Sequence, residues 1–171
     1  MQGTGLSAMN WRAMTPADLP AVSTIAAEVH PDFPEDEAVF AERLRLYPAG
    51  CHVLAGGDGV AAYAISHPWP ALSCPPLNAL VDALPADATS YYIHDVALSR
   101  AVRGAGHASA IVAALAGHAR SIGCAAMSLV AVNGSAGFWS RHGFTQAKAP
   151  SLATKLASYG DDALFMTRAL A

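Results

Sequence analysis

The chain has 171 residues, of which 53% are apolar and 13% charged, and a formal net charge of −3. That length suffices to bury one core and points to a single domain. The charge gives no electrostatic case for nucleic acid, and no apolar run approaches the ~20 residues that span a bilayer. Cys51, Cys74 and Cys124 are odd in number and widely spaced, which suits neither a disulfide framework nor a zinc site. Idle thiols in a reducing cytoplasm are the expectation, with no metal. The N-terminal MQGTGLSAMNWR lacks a basic stretch leading into an apolar core, so no secretory signal is expected.

Residues 1–9 are expected to form a flexible N-terminal arm, and residues 10–171 the domain. Asn10 to Met14 reads as a first strand. Thr15-Pro16-Ala17-Asp18 is a helix start, with proline suited to the first helical position and Asp18 placed as the acidic half of a capping box. That helix runs to about His30, with Leu19, Val22, Ile25, Ala26 and Val29 on one side. A second helix, Glu35 to Tyr47, is acidic at its start and basic later, as the helix dipole favours. Cys51 to Ala55 and Val60 to Ser66 form a hairpin around Gly56-Gly57-Asp58-Gly59. His67 to Thr89 carries five prolines and a tryptophan, with a short helix-like run over Leu77 to Leu84. It is read either as a wall over a pocket or as a packed surface excursion.

Tyr91 to Leu115 is the most informative stretch. Tyr91 to Leu98 reads as a strand with Tyr92, His94, Val96 and Leu98 on one face. Arg103-Gly104-Ala105-Gly106-His107-Ala108-Ser109 then opens a helix with Ala108, Ile111, Val112 and Leu115 at helical spacing. Glycines allow close backbone approach, and a helix start presents unpaired amides at the positive end of its dipole, which together make a phosphate site. A P-loop would need Gly-Lys-Ser/Thr, and a dinucleotide fold an acid about 20 residues on; neither is present. Gly123 ends the helix, Ala125 to Val132 reads as a central strand, and Asn133, Phe138, Trp139, Gly143 and Phe144 follow. Phe144 to Lys148 and Ala163 to Ala169 are the last strand candidates.

Arg103-x-x-Gly106-x-Ala108, placed between a strand and an amphipathic helix, resembles the signature of the GNAT superfamily of N-acetyltransferases. The Asn133, Phe138-Trp139 and Gly143-Phe144 stretch is similar to a second anchor of that family. The resemblance implies an α/β (α+β) fold, a central mixed, mostly antiparallel sheet of about seven strands flanked by helices on both faces. It implies acetyl-CoA as cofactor. Its pyrophosphate would lie on Arg103, Gly104, Ala105, Gly106, His107, Ala108 and Ser109. Its pantetheine and thioester would lie along Val96, Ala97 and Leu98 and near Asn133, Phe138 and Trp139. Trp139 stands where the family commonly has a tyrosine that protonates the departing thiolate, and an indole cannot do this.

The implied activity is direct acetyl transfer to the primary amine of a small molecule or peptide; a non-catalytic CoA-binding sensor or scaffold is the alternative. The amine must lose a proton, and an imidazole titrates in a suitable range. His94 is the expected base, on the strand face shared with Tyr92. Asp95 falls on the opposite face of a regular strand, and a bulge would reverse that ordering. Tyr92, Ser140 and His142 are candidate proton donors to the thiolate. Acceptor contacts are expected from Glu28, His30 and Phe33 and from His67 and Trp69. An edge strand leaves a homodimer open.

Overall fold

A computed structural model describes residues 8–170. The expectation of a flexible arm over residues 1–9 falls largely outside those residues. Seven strands form one sheet in the order β1-β2-β3-β4-β5-β7-β6. These are β1 (Asn10–Ala13), β2 (Cys51–Gly56), β3 (Gly59–Trp69), β4 (Ser90–Leu98), β5 (Ala126–Ala131), β6 (Thr145–Gln146) and β7 (Leu164–Ala169). Every neighbouring pair is antiparallel except β4 and β5. A parallel pair needs a crossover, and α3 (His107–Ser121) supplies it.

The helices cover both faces. Ile111, Val112, Leu115, Ala116 and Ala119 of α3 pack on Tyr91, Ile93, Met127 and Leu129. On the other face α1 (Leu19–Val29) and α2 (Glu37–Leu46) bring Val22, Ile25, Phe40 and Leu44 onto Val53, Tyr63, Ile65 and Ala97. Two short helices, α4 (Ala136–Arg141) and α5 (Ala153–Ala157), flank β6. A smaller cluster of Cys74, Tyr92, Leu152 and Phe165 closes the C-terminal side.

Most elements lie where their periodicity places them, and the differences have physical causes. The first helix begins with a 3-10 turn over Pro16–Asp18, and Asp18 accepts the Thr15 N–H at 2.8 Å, as a capping acid should. Strand β3 runs on through His67, Pro68 and Trp69, which pair with Tyr92, Tyr91 and Ser90. Those three residues therefore belong to the sheet and not to the following loop. Leu77 to Leu84 is not helical. Asn78 and Asp82 adopt left-handed backbone conformations, and acidic and hydroxyl side chains take up the main-chain donors. Glu35 accepts from Asn78, Glu42 from Val81 and Asp82, and Ser158 from Leu77. Tertiary capture of these amides outweighs the local helical pattern.

Candidate active site

The site is built where β4 and β5 part. Their parallel pairing covers only Ser90–Ile93 against Ala126–Leu129. Beyond it the strands splay, and the cleft between them opens into a cavity of about 630 Å³. Ser99 donates its N–H to Ala61, so the alternation of an antiparallel ladder turns the amides of Val96 and Leu98 toward the open side. The Leu98 carbonyl accepts from Arg103 Nε at 3.0 Å. This bond folds the following turn back over the cleft.

A bulge decides which β4 side chains enter. The β3–β4 register slips by one residue between Ile65 and Ser66, so Asp95 opposes Ile65 whereas Ile93 opposes Ser66 and Tyr92 opposes His67. His94 is the extra residue. Ile65 and His67 share a face of β3, so Tyr92 and Asp95 share a face of β4 although three residues apart. The regular alternation expected for Tyr92, His94, Val96 and Leu98 is corrected accordingly. His94 and Asp95 both line the cavity.

Two histidine–carboxylate couples meet there. His94 Nε2 lies 2.8 Å from Glu35 Oε1, and its Nδ1 has no hydrogen-bond partner. His30 Nε2 lies 3.0 Å from Asp95 Oδ1, and His30 Nδ1 lies 3.1 Å from Asn133 Nδ2. The Tyr63 hydroxyl donates to the other Asp95 oxygen. Burial by itself raises the carboxyls of Glu35 and Asp95. The facing histidines, with the Tyr63 hydrogen bond at Asp95, outweigh it and hold both below the ordinary range. Burial likewise lowers His30, but the Asp95 hydrogen bond and the Asp95 and Glu35 charges prevail, and His30 ends above its ordinary value.

The other end of the cavity is a cradle of main chain. Gly104 and Gly106 have φ of 82° and 85°, a region that strains any residue with a Cβ. Gly106 caps α3, and Ala110 is the first amide bonded within the helix, to Gly106. The three amides before it lead into the cavity wall, where His107, Ala108 and Ser109 lie. Trp11 of β1 steadies this turn by donating to the His107 carbonyl at 3.0 Å. Asn133 and Gly134, both with positive φ, turn the chain from β5 into α4. Phe138 and Trp139 stack edge to face at 4.9 Å along one wall.

Of the residues expected from sequence, His94, Asp95, Val96, Leu98, Arg103, Gly104, Gly106, His107, Ala108, Ser109, Asn133, Phe138, Trp139, His30 and Phe33 all line this cavity. Ala97 turns its side chain into the core beneath α1 and α2, and Ala105 is exposed at the tip of the turn. Tyr92 is buried with Cys74, Leu152 and Phe165 behind the cavity wall. His67 packs against Tyr92 and Trp69 in the sheet, and Glu28 is exposed on α1; none of the four side chains of Tyr92, His67, Trp69 and Glu28 lines the cavity. The sequence reading missed Glu35 and Tyr159. Glu35 lies just before α2, in an acidic stretch that the helix dipole by itself accounts for. Tyr159 lies in a C-terminal segment with no periodic signal, yet it lines the cavity and donates to Pro75 at 3.0 Å.

Residues 11–144 match the sequence model of the family described as Acetyltransferase (GNAT) family. The chain belongs to that family. A search of curated proteins finds no match. Among solved structures, this GNAT chain is similar to Ard1 from Thermoplasma volcanium, at 18% identity, with 96% of this chain and 99% of the other covered and a TM-score of 0.73. It is also similar to the GphF GNAT-like decarboxylase in complex with isobutyryl-CoA, at 16% identity, 95% and 100% coverage and a TM-score of 0.80. A third is the ribosomal-protein-S18-alanine N-acetyltransferase from Escherichia coli, at 19% identity, 96% and 95% coverage and a TM-score of 0.64. At these identities the likeness is one of fold.

The GNAT family uses acetyl-CoA, and the residues present fit it. An added Cβ at Gly104 or Gly106 would meet nothing within 4 Å, so the turn is open to a ligand and is not packed shut. Its amides and the α3 dipole suit a pyrophosphate. The unpaired edges of β4 and β5 suit an extended chain with amide groups, as pantetheine is.

Proposed function

We propose that this protein is an acetyl-CoA-dependent N-acetyltransferase that acylates a primary amine. The observation that carries the reading is one continuous cavity joining the glycine cradle at the start of α3 to the His94–Glu35 couple on the β4 bulge. Acetyl-CoA, when bound, supplies the activated thioester. Gly104, Gly106 and the first α3 amides hold the phosphates, and Val96 and Leu98 offer amide donors along the splay. Such a donor, fixed in place before reaction, stabilises negative charge developing on the acyl oxygen.

His94 serves as the base. An ionised Glu35 only accepts, so Nε2 carries the hydrogen and the lone pair sits on Nδ1, a buried nitrogen without a partner. Glu35 thus selects the tautomer that can take the amine proton. Phe33, Leu77 and Tyr159 give the acceptor end an apolar wall.

Calorimetric titration of acetyl-CoA into wild type and into Gly106→Glu tests the cofactor. An amine panel assayed by thiol release, with His94→Gln as control, tests the transfer. Binding with no turnover on any amine would favour the CoA-binding sensor.

A further inference from the structure

The sequence suggested Tyr92, Ser140 and His142 as proton donors to the leaving sulfur, and none of them lines the cavity. Trp139 has no acidic proton to give. Among the described residues, one imidazole other than His94 lies at the inner end of the splay. His30 comes from the end of α1, outside the sheet, and bridges the two parted strands. It holds Asp95 on β4 with Nε2 and Asn133, two residues past the end of β5, with Nδ1. A chain entering from the α3 cradle passes Leu98 and Val96 before it reaches Asp95, so its inner end arrives beside His30.

We propose that His30, held by Asp95, is the catalytic acid that protonates the departing sulfur. This rests on the acetyltransferase reading above. As the amine nitrogen bonds to the acyl carbon, its proton passes to His94 Nδ1. The carbon–sulfur bond breaks with its electron pair on sulfur, and His30 Nδ1 gives sulfur its proton. The amide and CoA thiol leave. His94 then returns its proton to solvent and His30 regains one, so the cycle consumes nothing else.

The surroundings support the division of labour. Asp95, Glu35 and Arg103 are the charged groups that act on His30, and the two carboxylates prevail over burial and Arg103 to favour its protonated form. His94 and Tyr63 bind the carboxylates from their far sides. Asn133 Nδ2 faces Nδ1 and donates to it when it is neutral, and the amide turned over presents Oδ1 to Nδ1–H, so Asn133 accommodates His30 in either state.

The test reads the pH profile of turnover and the imidazole itself. His30→Gln should bind CoA and desulfo-CoA alike, lower kcat by about 10²-fold and lose the basic limb of the kcat profile. Retention of the basic limb in His30→Gln would overturn the proposal. If that variant fails to fold, nitrogen NMR of the wild-type imidazoles decides: His30 shifts must differ between CoA and desulfo-CoA, and identical shifts reject it. Failure of CoA to bind wild type at all would instead overturn the acetyltransferase reading.

Discussion

Glu35 and His94 are 59 residues apart in the chain and 2.8 Å apart in the site. The same carboxylate accepts the Asn78 N–H at 3.1 Å with its other oxygen. One side chain therefore joins the proposed base to the proline-rich segment that walls the cavity. Glu35→Gln keeps the size and removes the charge that fixes the tautomer. It should lower kcat by about 10²-fold while leaving acetyl-CoA affinity near wild type, since the cradle lies at the other end. Steady-state kinetics beside calorimetry checks this, and an unchanged kcat would remove Glu35 from the mechanism.

Gly106 makes the sharpest demand in the cradle, at the cap of α3 with φ of 85°. Alanine there strains the backbone by about 1 kcal/mol, and glutamate adds a negative charge where phosphate should lie. Gly106→Ala should weaken acetyl-CoA binding about tenfold, and Gly106→Glu should abolish it. Both should melt within a few degrees of wild type because no packed atom lies within 4 Å. Calorimetry and thermal melts separate the two effects.

Gly50 behaves in the opposite way. A Cβ there would sit 2.0 Å from the Ser66 carbonyl oxygen and 2.8 Å from the Tyr91 hydroxyl. The Ser66 hydroxyl donates to the Gly50 carbonyl nearby, so neither partner can retreat easily. Gly50→Ala should cost about 3 kcal/mol, which lowers Tm by roughly 6–12 °C in a domain of this size. A melt within 2 °C of wild type would contradict this packing.

Glu42 ties down the 70–89 segment from α2. Its two oxygens accept Val81 and Asp82 amides at 2.7 and 3.0 Å, and Arg43 donates to it at 2.7 Å. Glu42→Gln places an N–H against one of those donors and leaves the buried Arg43 without its counter-charge. A loss of about 3 kcal/mol is expected, with new protease cleavage between residues 70 and 89 as the first sign.

Acid should destabilise the protein in a window set by His67. Burial lowers its pKa to about 3, against the opposing Pro68 main-chain hydrogen bond. The unfolded chain titrates near 6.5. Between those values the unfolded state binds more protons, so stability falls as pH drops from about 6.5 toward 3. Asp18, lowered to about 2 chiefly by the Arg12 hydrogen bond, adds a further loss as pH falls below about 4. His30 runs the other way, its contribution being full below 6.5 and lost as pH rises through its raised value. Urea midpoints from pH 4 to 8 should slope less steeply in His67→Gln; parallel curves would show that His67 is not the group responsible.

Local chemistry accounts for what the sequence by itself determined. The helix over Leu19–Val29, the hairpin at Gly57-Asp58, the glycine turn and α3 follow from apolar period, caps and turn residues, all encoded within a few neighbours. The Arg103-x-x-Gly106-x-Ala108 turn was legible for the same reason, because its function needs only consecutive main-chain amides. The acid–base residues were not. His94 and Asp95 were visible as candidates, but a one-residue bulge set by packing against β3 decided that both enter the cavity. Glu35 and Asn133 became partners of His94 and His30 only when α1, the loop before α2 and the β5–α4 turn converged on the splay. The register depends on pairs 27 to 30 residues apart and the convergence on contacts across 59 to 103 residues. Such contacts leave no periodic trace in the chain, so only the tertiary structure decided them.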